Sequence, residues 1–395
     1  MLLMNSNPMP VLVLMIRLAL KLLSVVFIGL MLLNCILYLR AEIYDFPPPK
    51  PFEGKSIYNP YEGMADTLFL RANFHAHSIA WGGLTNGHDT EKEIYEGYTG
   101  RGYDVACISN YHSVSEYHKN LSKYYIPVYE HGFNVLKSHC LALGADEVSF
   151  EDFPLFQSGS HQQSVIQSIR DNGALVCIAH PDFGGGRTFE NMRQLTGYRF
   201  TEVLNHYRLS DEYWDEGLSA GRLSWILGND DTHDMRDHFT FHRFTMIPGS
   251  CRNADDVLKR LSAGNHYAIR SHNGDPDIGF VSCTGNGEGP YRFTFSGPVD
   301  SILIVGQGGK TLRSFIDTST AEYWFRPEDH YIRAVAVSAN SILYLNPLLR
   351  CADSNDPFEG LPAAAENHLL TWISRLTILL FMALLAYMLK KTVWT

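Results

Sequence analysis

Between residues 68 and 230 the chain repeats one pattern, a short apolar run followed by a turn or a polar helical stretch. The runs are LFLRANFH (68–75), DVACIS (104–109), YIPVYE (125–130), HCLALG (139–144), ALVCIAH (174–180), FTEVLN (200–205) and LSWILGND (223–230), with helical patterns in TEKEIYEGYTGRG and HQQSVIQSIRDNG. Short apolar runs bounded by turn residues read as buried strands. Strands alternating with helices imply parallel βα units. Seven such runs predict a compact α/β barrel in preference to a doubly wound sheet.

The chemistry falls at the ends of these runs. His75 and His77, His112, Glu130, His180, and Asp231 with His233 each stand at, or just beyond, the C-terminal end of an apolar run, the ends that converge on one mouth in a β/α barrel. Side chains alternate along a strand, so His75 and His77 share a face and can hold one ion together. Asp231 and His233 repeat that spacing. Taken singly, His112 reads equally as a polar loop histidine, Glu130 as an exposed carboxylate and His139, which opens HCLALG, as a satisfied core histidine. Taken together they predict a metal site, since imidazole and carboxylate suit Zn, Mn or Fe. No GxSxG elbow or HExxH helix is present, which removes support from serine hydrolases and zincins.

The series NFHAHS, CISNYHS, PVYEHG with SHCLALGA, VCIAHPD and LGNDDTHD resembles the PHP superfamily, named for its polymerase and histidinol phosphatase members. The resemblance spans residues 68–234 and extends more weakly through RLSAGNHYAIRSHNG and YIRAVAVSANSILYLNPL. It implies a distorted seven-stranded β/α (TIM-like) barrel carrying a two- or three-metal cluster, in enzymes that mostly hydrolyse phosphate esters. Carried over residue by residue, it makes His75, His77, Glu130, His139, His180, Asp231 and His233 metal ligands, with Asp231, His233 and His180 also catalytic. Two motifs depart from the family. The Asp-Gly that follows HxH is represented only by Asn86-Gly87, and Thr-Asp-His becomes Ser109-Asn110-Tyr111-His112, which displaces the candidate ligand His112 by one residue. Asn is a poorer ligand than Asp, so the resemblance here implies a binuclear centre with a third position altered.

Both ends of the chain are apolar. Residues 22–39 carry no charge, the apolar character begins at about residue 11, and 369–389 is broken only by Arg375. Each is long enough to span a bilayer. A cleaved signal peptide competes for the first, but LYLRAEIYDF offers no small-x-small cleavage site. Arg17 and Lys21 before the first span, with Lys390 and Lys391 after the second, predict cytoplasmic termini and an extracytoplasmic (periplasmic or extracellular) body; Arg40 and Arg375 on the outer flanks work against that orientation. The expected organisation is a signal anchor at 11–39, a Pro/Tyr-rich linker at 40–66, a metal-dependent hydrolase barrel at 67–250, a helix plus small antiparallel β module at 251–350, and a second span at 369–389. A net charge of −10 without a basic patch excludes nucleic acid as a partner. Of seven cysteines, Cys35 lies in a span and Cys107, Cys140 and Cys177 in apolar runs, while Cys251, Cys283 and Cys351 could pair in an oxidising compartment.

The expected function is hydrolysis of a phosphate mono- or diester by a metal-bound hydroxide, using two or three divalent transition metal ions. The substrate is a phosphorylated small molecule or a lipid or glycan head group at the membrane. Arg187 in the glycine loop PDFGGGRT, Arg208 and His206 are the substrate-binding candidates. The same machinery could act on a carboxylic ester, amide or carbamate. The Asn86 and Asn110 departures also leave room for a binding protein without turnover.

Overall fold

A computed structural model describes residues 9–64, 68–352 and 356–394. Seven strands occupy the predicted runs: β1 (Phe69–Asn73), β2 (Val105–Ala106), β3 (Val128–His131), β4 (Cys140–Leu143), β5 (Leu175–Ile178), β6 (Phe200–Leu204) and β7 (Trp225–Gly228). Two helices between them start where capping dictates. Thr90 accepts from the Glu93 amide and Glu93 returns the bond, opening Glu91–Gly100; Ser158 and His161 do the same for Gly159–Asp171.

The strands form a mixed α/β body of two sheets, not one continuous parallel ring. β1 and β2 are parallel, as are β5 with β6 and β6 with β7, but β3–β4 and β4–β5 run antiparallel. The segment between His131 and Cys140 is too short for the crossover that parallel neighbours require. Two isolated parallel bridges join the sheets, Tyr111 to Glu130 and Ala76 to Thr232. Phe74, Val128, Leu141, Val203 and Leu227 are buried in one hydrophobic cluster, each stabilising the fold by about 1.5–3 kcal/mol.

The C-terminal half is antiparallel, and instead of forming a separate module it continues the first sheet. β8 (Arg243–Pro248) pairs with β1 and β9 (Tyr267–Ser271) pairs with β8. Further strands follow, including a long hairpin of Pro290–Gly306 and Lys310–Trp324. The segment expected as a free linker is packed on this body. Ser56–Tyr58 pairs with Leu348–Cys351, and Phe52 and Tyr61 are buried. The expected 66/67 boundary lies outside the described residues.

The terminal helices Met9–Tyr38 and His368–Trp394 are both long and apolar enough to cross a membrane. They touch through Ile28, Cys35 and Leu385. Tyr44–Asp45 pairs with Ala365–Glu366, so both helices leave the body side by side. Arg375 donates from Nε to the Leu39 carbonyl at 3.1 Å, satisfying a carbonyl just past the first helix. Cys251, Cys283 and Cys351 are separately buried, and among the described residues no disulfide joins them.

Candidate metal centre

The strand ends bring His75, His77, Glu130, His139, His180, Asp231 and His233 together. Glu130 is the hub. Its Oε1 lies 2.7 Å from His139 Nδ1, 3.2 Å from His180 Nε2 and 3.4 Å from His75 Nε2, and its Oε2 lies 3.1 Å from His77 Nε2. Asp231 Oδ1 lies 3.1 Å from His75 Nε2 and 3.3 Å from His77 Nε2. His233 sits at the edge, its ring stacked on His77 at 4.3 Å. His180 and Asp231 reach these positions with φ of 28° and 51°, left-handed conformations that cost free energy in non-glycine residues and gather at functional sites.

The donor set fits cations. Two overlapping groups, His75/His77/Asp231 and His75/Glu130/His180, place their ligand atoms within 4.8 Å of one another. Despite the short separations, Glu130 Oε2, Asp231 Oδ1, His139 Nδ1 and His233 Nε2 are buried with no partner in hydrogen-bonding geometry among the described residues. Buried polar atoms are normally paired, so lone pairs converging unpaired on a common space mark a coordination site. Burial disfavours an ionised Glu130, yet His139 and His75 hold its pKa well below the usual carboxylate value. Burial likewise opposes a charged His75, yet Asp231, Glu202 and Glu130 raise it well above the usual histidine value.

A supporting layer fixes these side chains. His75 Nδ1 is 2.9 Å from Glu202 Oε1, which sets the proton on Nδ1 and turns the Nε2 lone pair inward. Glu202 also accepts from Asn229 Nδ2, Asn205 Nδ2 and the His180 amide. Asn205 Nδ2 is 3.2 Å from Asp231 Oδ2. Asp230 is fully engaged: the amides of Phe241, His242 and Arg243 and the Tyr98 hydroxyl all donate to it. Burial nevertheless lifts its pKa to about 6.

Other candidates fall elsewhere. His112, at φ 46°, turns away from the cluster: Nδ1 donates to the Ser149 carbonyl and Nε2 accepts from the Gly132 amide. It groups instead with His131 and Asp152. Tyr111 takes the place beside the cluster, stacked on His77 at 4.6 Å. Asn110 is occupied by the amide and hydroxyl of Ser78. Arg187 is buried, with Nη2 on Cys140 Sγ. The glycine loop before it packs on the chain, since a Cβ at Gly186 would stand 2.6 Å from the Leu136 carbonyl oxygen. Arg208 is exposed and bonds the Tyr207 carbonyl; His206 is 3.6 Å from Asp237. Between them, Tyr207 brings its hydroxyl to 3.4 Å from His233 Nδ1.

The sequence reading missed Glu202, Tyr111, Tyr207 and the two asparagines. Glu202 was visible as a charge inside the apolar run FTEVL; the others leave no local signal.

No protein-family model and no curated protein matches this chain. Among solved structures it is similar, at 11% identity and a TM-score of 0.41, to a two-domain protein of Bacteroides vulgatus containing a predicted PHP-like metal-dependent phosphoesterase. That match covers 82% of this chain and 100% of the other. At that level the reading of the site rests on its own geometry.

Proposed function

We propose that the protein is a membrane-anchored, metal-dependent phosphoesterase of PHP type with its site facing away from the cytoplasm. The observation that carries the reading is the convergence of Glu130 and Asp231 on four buried imidazoles, with Glu130 Oε2, Asp231 Oδ1 and His139 Nδ1 left without a hydrogen-bond partner among the described residues. The two bridges between the sheets support reading the seven strands as a distorted barrel whose mouth is this cluster.

His75, His77 and Asp231 would hold one divalent ion, and Glu130, His139 and His180 a second. Such ions lower the pKa of a coordinated water toward neutrality and neutralise phosphate oxygens. The protein's own contributions are then positional. Glu202 keeps His75 in one tautomer, and Asn205 orients Asp231. His77 is held by stacking against Tyr111 and His233. His233 and Tyr207 lie toward solvent, where a leaving alkoxide needs a proton. In hydrolysis the water oxygen bonds to phosphorus, the ester P–O bond breaks, and a proton passes to the departing oxygen.

The test is elemental mass spectrometry of the detergent-purified chain, alongside Asp231→Ala with His233→Ala. Two transition-metal ions per chain, lost in the variant together with at least a thousandfold of turnover on p-nitrophenyl phosphate or bis-p-nitrophenyl phosphate, is the expected result. Metal without phosphatase activity but with turnover of carboxylic esters would replace the phosphate reading. No metal after reconstitution would leave a binding protein.

A further inference from the structure

Two loops beside the cluster, 132–139 and 148–156, expose a run of large apolar side chains. Phe133, Val135, Phe150, Leu155 and Phe156 are between 48% and 71% exposed. Charged or small residues are the norm on a surface loop, and a contiguous apolar patch marks an interaction site. The two loops are tied together, because Val135 N donates to the Pro154 carbonyl and Phe133 N to Asp152.

What distinguishes this strip is where its ends lie. At one end, Phe133 and Val135 line a cavity of about 460 Å³ with Leu84, Asn86, Tyr111 and Lys137. Tyr111 is the ring stacked on His77, so the cavity adjoins the candidate metal centre. Lys137 is the one cation in its lining. At the other end, Tyr38, the last residue of the first membrane-length helix, stacks on Phe156 at 4.7 Å and meets Phe153 edge-on at 5.4 Å. Its hydroxyl accepts from the amides of Leu155 and Phe156 and donates to the Phe156 carbonyl. A spanning helix leaves the bilayer at its last apolar residue. With the protein anchored as proposed, the strip therefore runs from the membrane surface to the candidate metal centre.

We infer that the phosphate ester taken by this site is a membrane lipid, its acyl chain lying along the strip formed by Phe133, Val135, Phe150, Leu155 and Phe156 while its head group reaches the metal centre through the Tyr111 cavity. The inference rests on the phosphoesterase reading and names its substrate class. A water-soluble phosphate would need the cavity and Lys137 but not the strip, and a glycan would need hydrogen-bonding side chains where the strip offers hydrocarbon. Hydrolysis would leave one product in the bilayer and release the other to water.

The experiment compares lipids with their deacylated counterparts, phosphatidic acid with glycerol 3-phosphate and phosphatidylglycerol with glycerophosphoglycerol, the lipids being carried in phosphatidylcholine vesicles holding the full-length protein. The expected result is at least a tenfold preference in kcat/KM for one lipid over its soluble partner. Val135→Asp with Leu155→Asp should cut that lipid-to-soluble ratio at least tenfold. Ile316→Asp, a similarly exposed apolar site on the distant hairpin, should leave the ratio within twofold. A ratio near one, or a ratio indifferent to Val135→Asp with Leu155→Asp, overturns the inference even where the chain hydrolyses soluble esters. If neither class is turned over, the phosphoesterase reading fails, and a second readout still decides the strip: a phosphatidic acid with a photoreactive acyl chain should crosslink to residues 133–156. Crosslinks confined to the two terminal helices overturn it.

Discussion

Two buried clusters of charge in this protein are built to opposite ends. Asp215 and Arg333 meet beneath the C-terminal sheet, with Arg333 Nη2 and Nε donating to the two carboxylate oxygens at 2.6 and 2.9 Å and the Tyr331 hydroxyl adding a third bond at 3.0 Å. Both carboxylate oxygens of Asp215 are satisfied. Around Glu130 and Asp231 the side chains are equally buried and equally close, yet several lone pairs face each other without a donor between them. A carboxylate fully supplied with donors, even with Arg333 Nη1 left over, holds the fold in one arrangement, whereas carboxylates that face lone pairs are held open by the fold for something else. His112, His131 and Asp152 fall between, since the first and last are bonded by backbone and Gln157 while neither ring nitrogen of His131 has a hydrogen-bond partner among the described residues.

The sharpest way to break this contrast is to truncate one member of each cluster. Asp215→Ala would strand the Arg333 guanidinium, whose pKa Asp215 holds above the ordinary arginine value against its burial. Removing one partner of a buried pair costs about 3–5 kcal/mol, so chemical denaturation should show a loss of that size with metal content per folded chain unchanged. Replacing both, as Asp215→Leu with Arg333→Met, should recover most of it. Stability largely unaltered by Asp215→Ala would mean that saturation is not what distinguishes the two clusters.

A smaller effect tests the supporting layer. Glu202→Gln keeps the volume but substitutes an amide for the carboxylate that orders His75. Losing such a partner typically weakens metal affinity about 10- to 100-fold, with little change in folding. Competition with a metallochromic chelator reads the affinity directly. An unchanged affinity would make Glu202 a core carboxylate and nothing more.

How much of this was legible beforehand follows from the range of each interaction. The strands and their terminal histidines and acids declare themselves locally, through apolar runs and the one-apart spacing of His75 with His77 and Asp231 with His233. The direction of β4 does not, because pairing between Cys140–Leu143 and its neighbours is decided by the length of the connection after His131. His112 was misplaced for a different reason. Its neighbour Asn110 is drawn to Ser78, 32 residues away, and the chain then turns through a left-handed residue that presents Tyr111 to the cluster. The Pro/Tyr-rich segment misled in the same way: Phe52 and Tyr61 look like spacer residues until the C-terminal strands that bury them are in place.

The mildest prediction compares histidines inside and outside the metal centre. His118 is buried against Tyr95 and Tyr125, and neither ring nitrogen has a hydrogen-bond partner among the described residues. Burial lowers its pKa to about 4. Folded protein thus binds fewer protons than unfolded chain between that value and about 6.5, so stability rises with pH across this window and is lost as pH falls through it. The centre's own histidines titrate against metal as well as protons, which would obscure a bare pH profile. The difference between wild type and His118→Gln removes that contribution. Between pH 7 and 4.5 the wild type should lose on the order of 1–2 kcal/mol more than the variant, read from denaturation midpoints in detergent. Equal losses would place the acid sensitivity in the Glu130 and Asp231 cluster, and the separation between histidines that serve the core and histidines that serve the site would have to be redrawn.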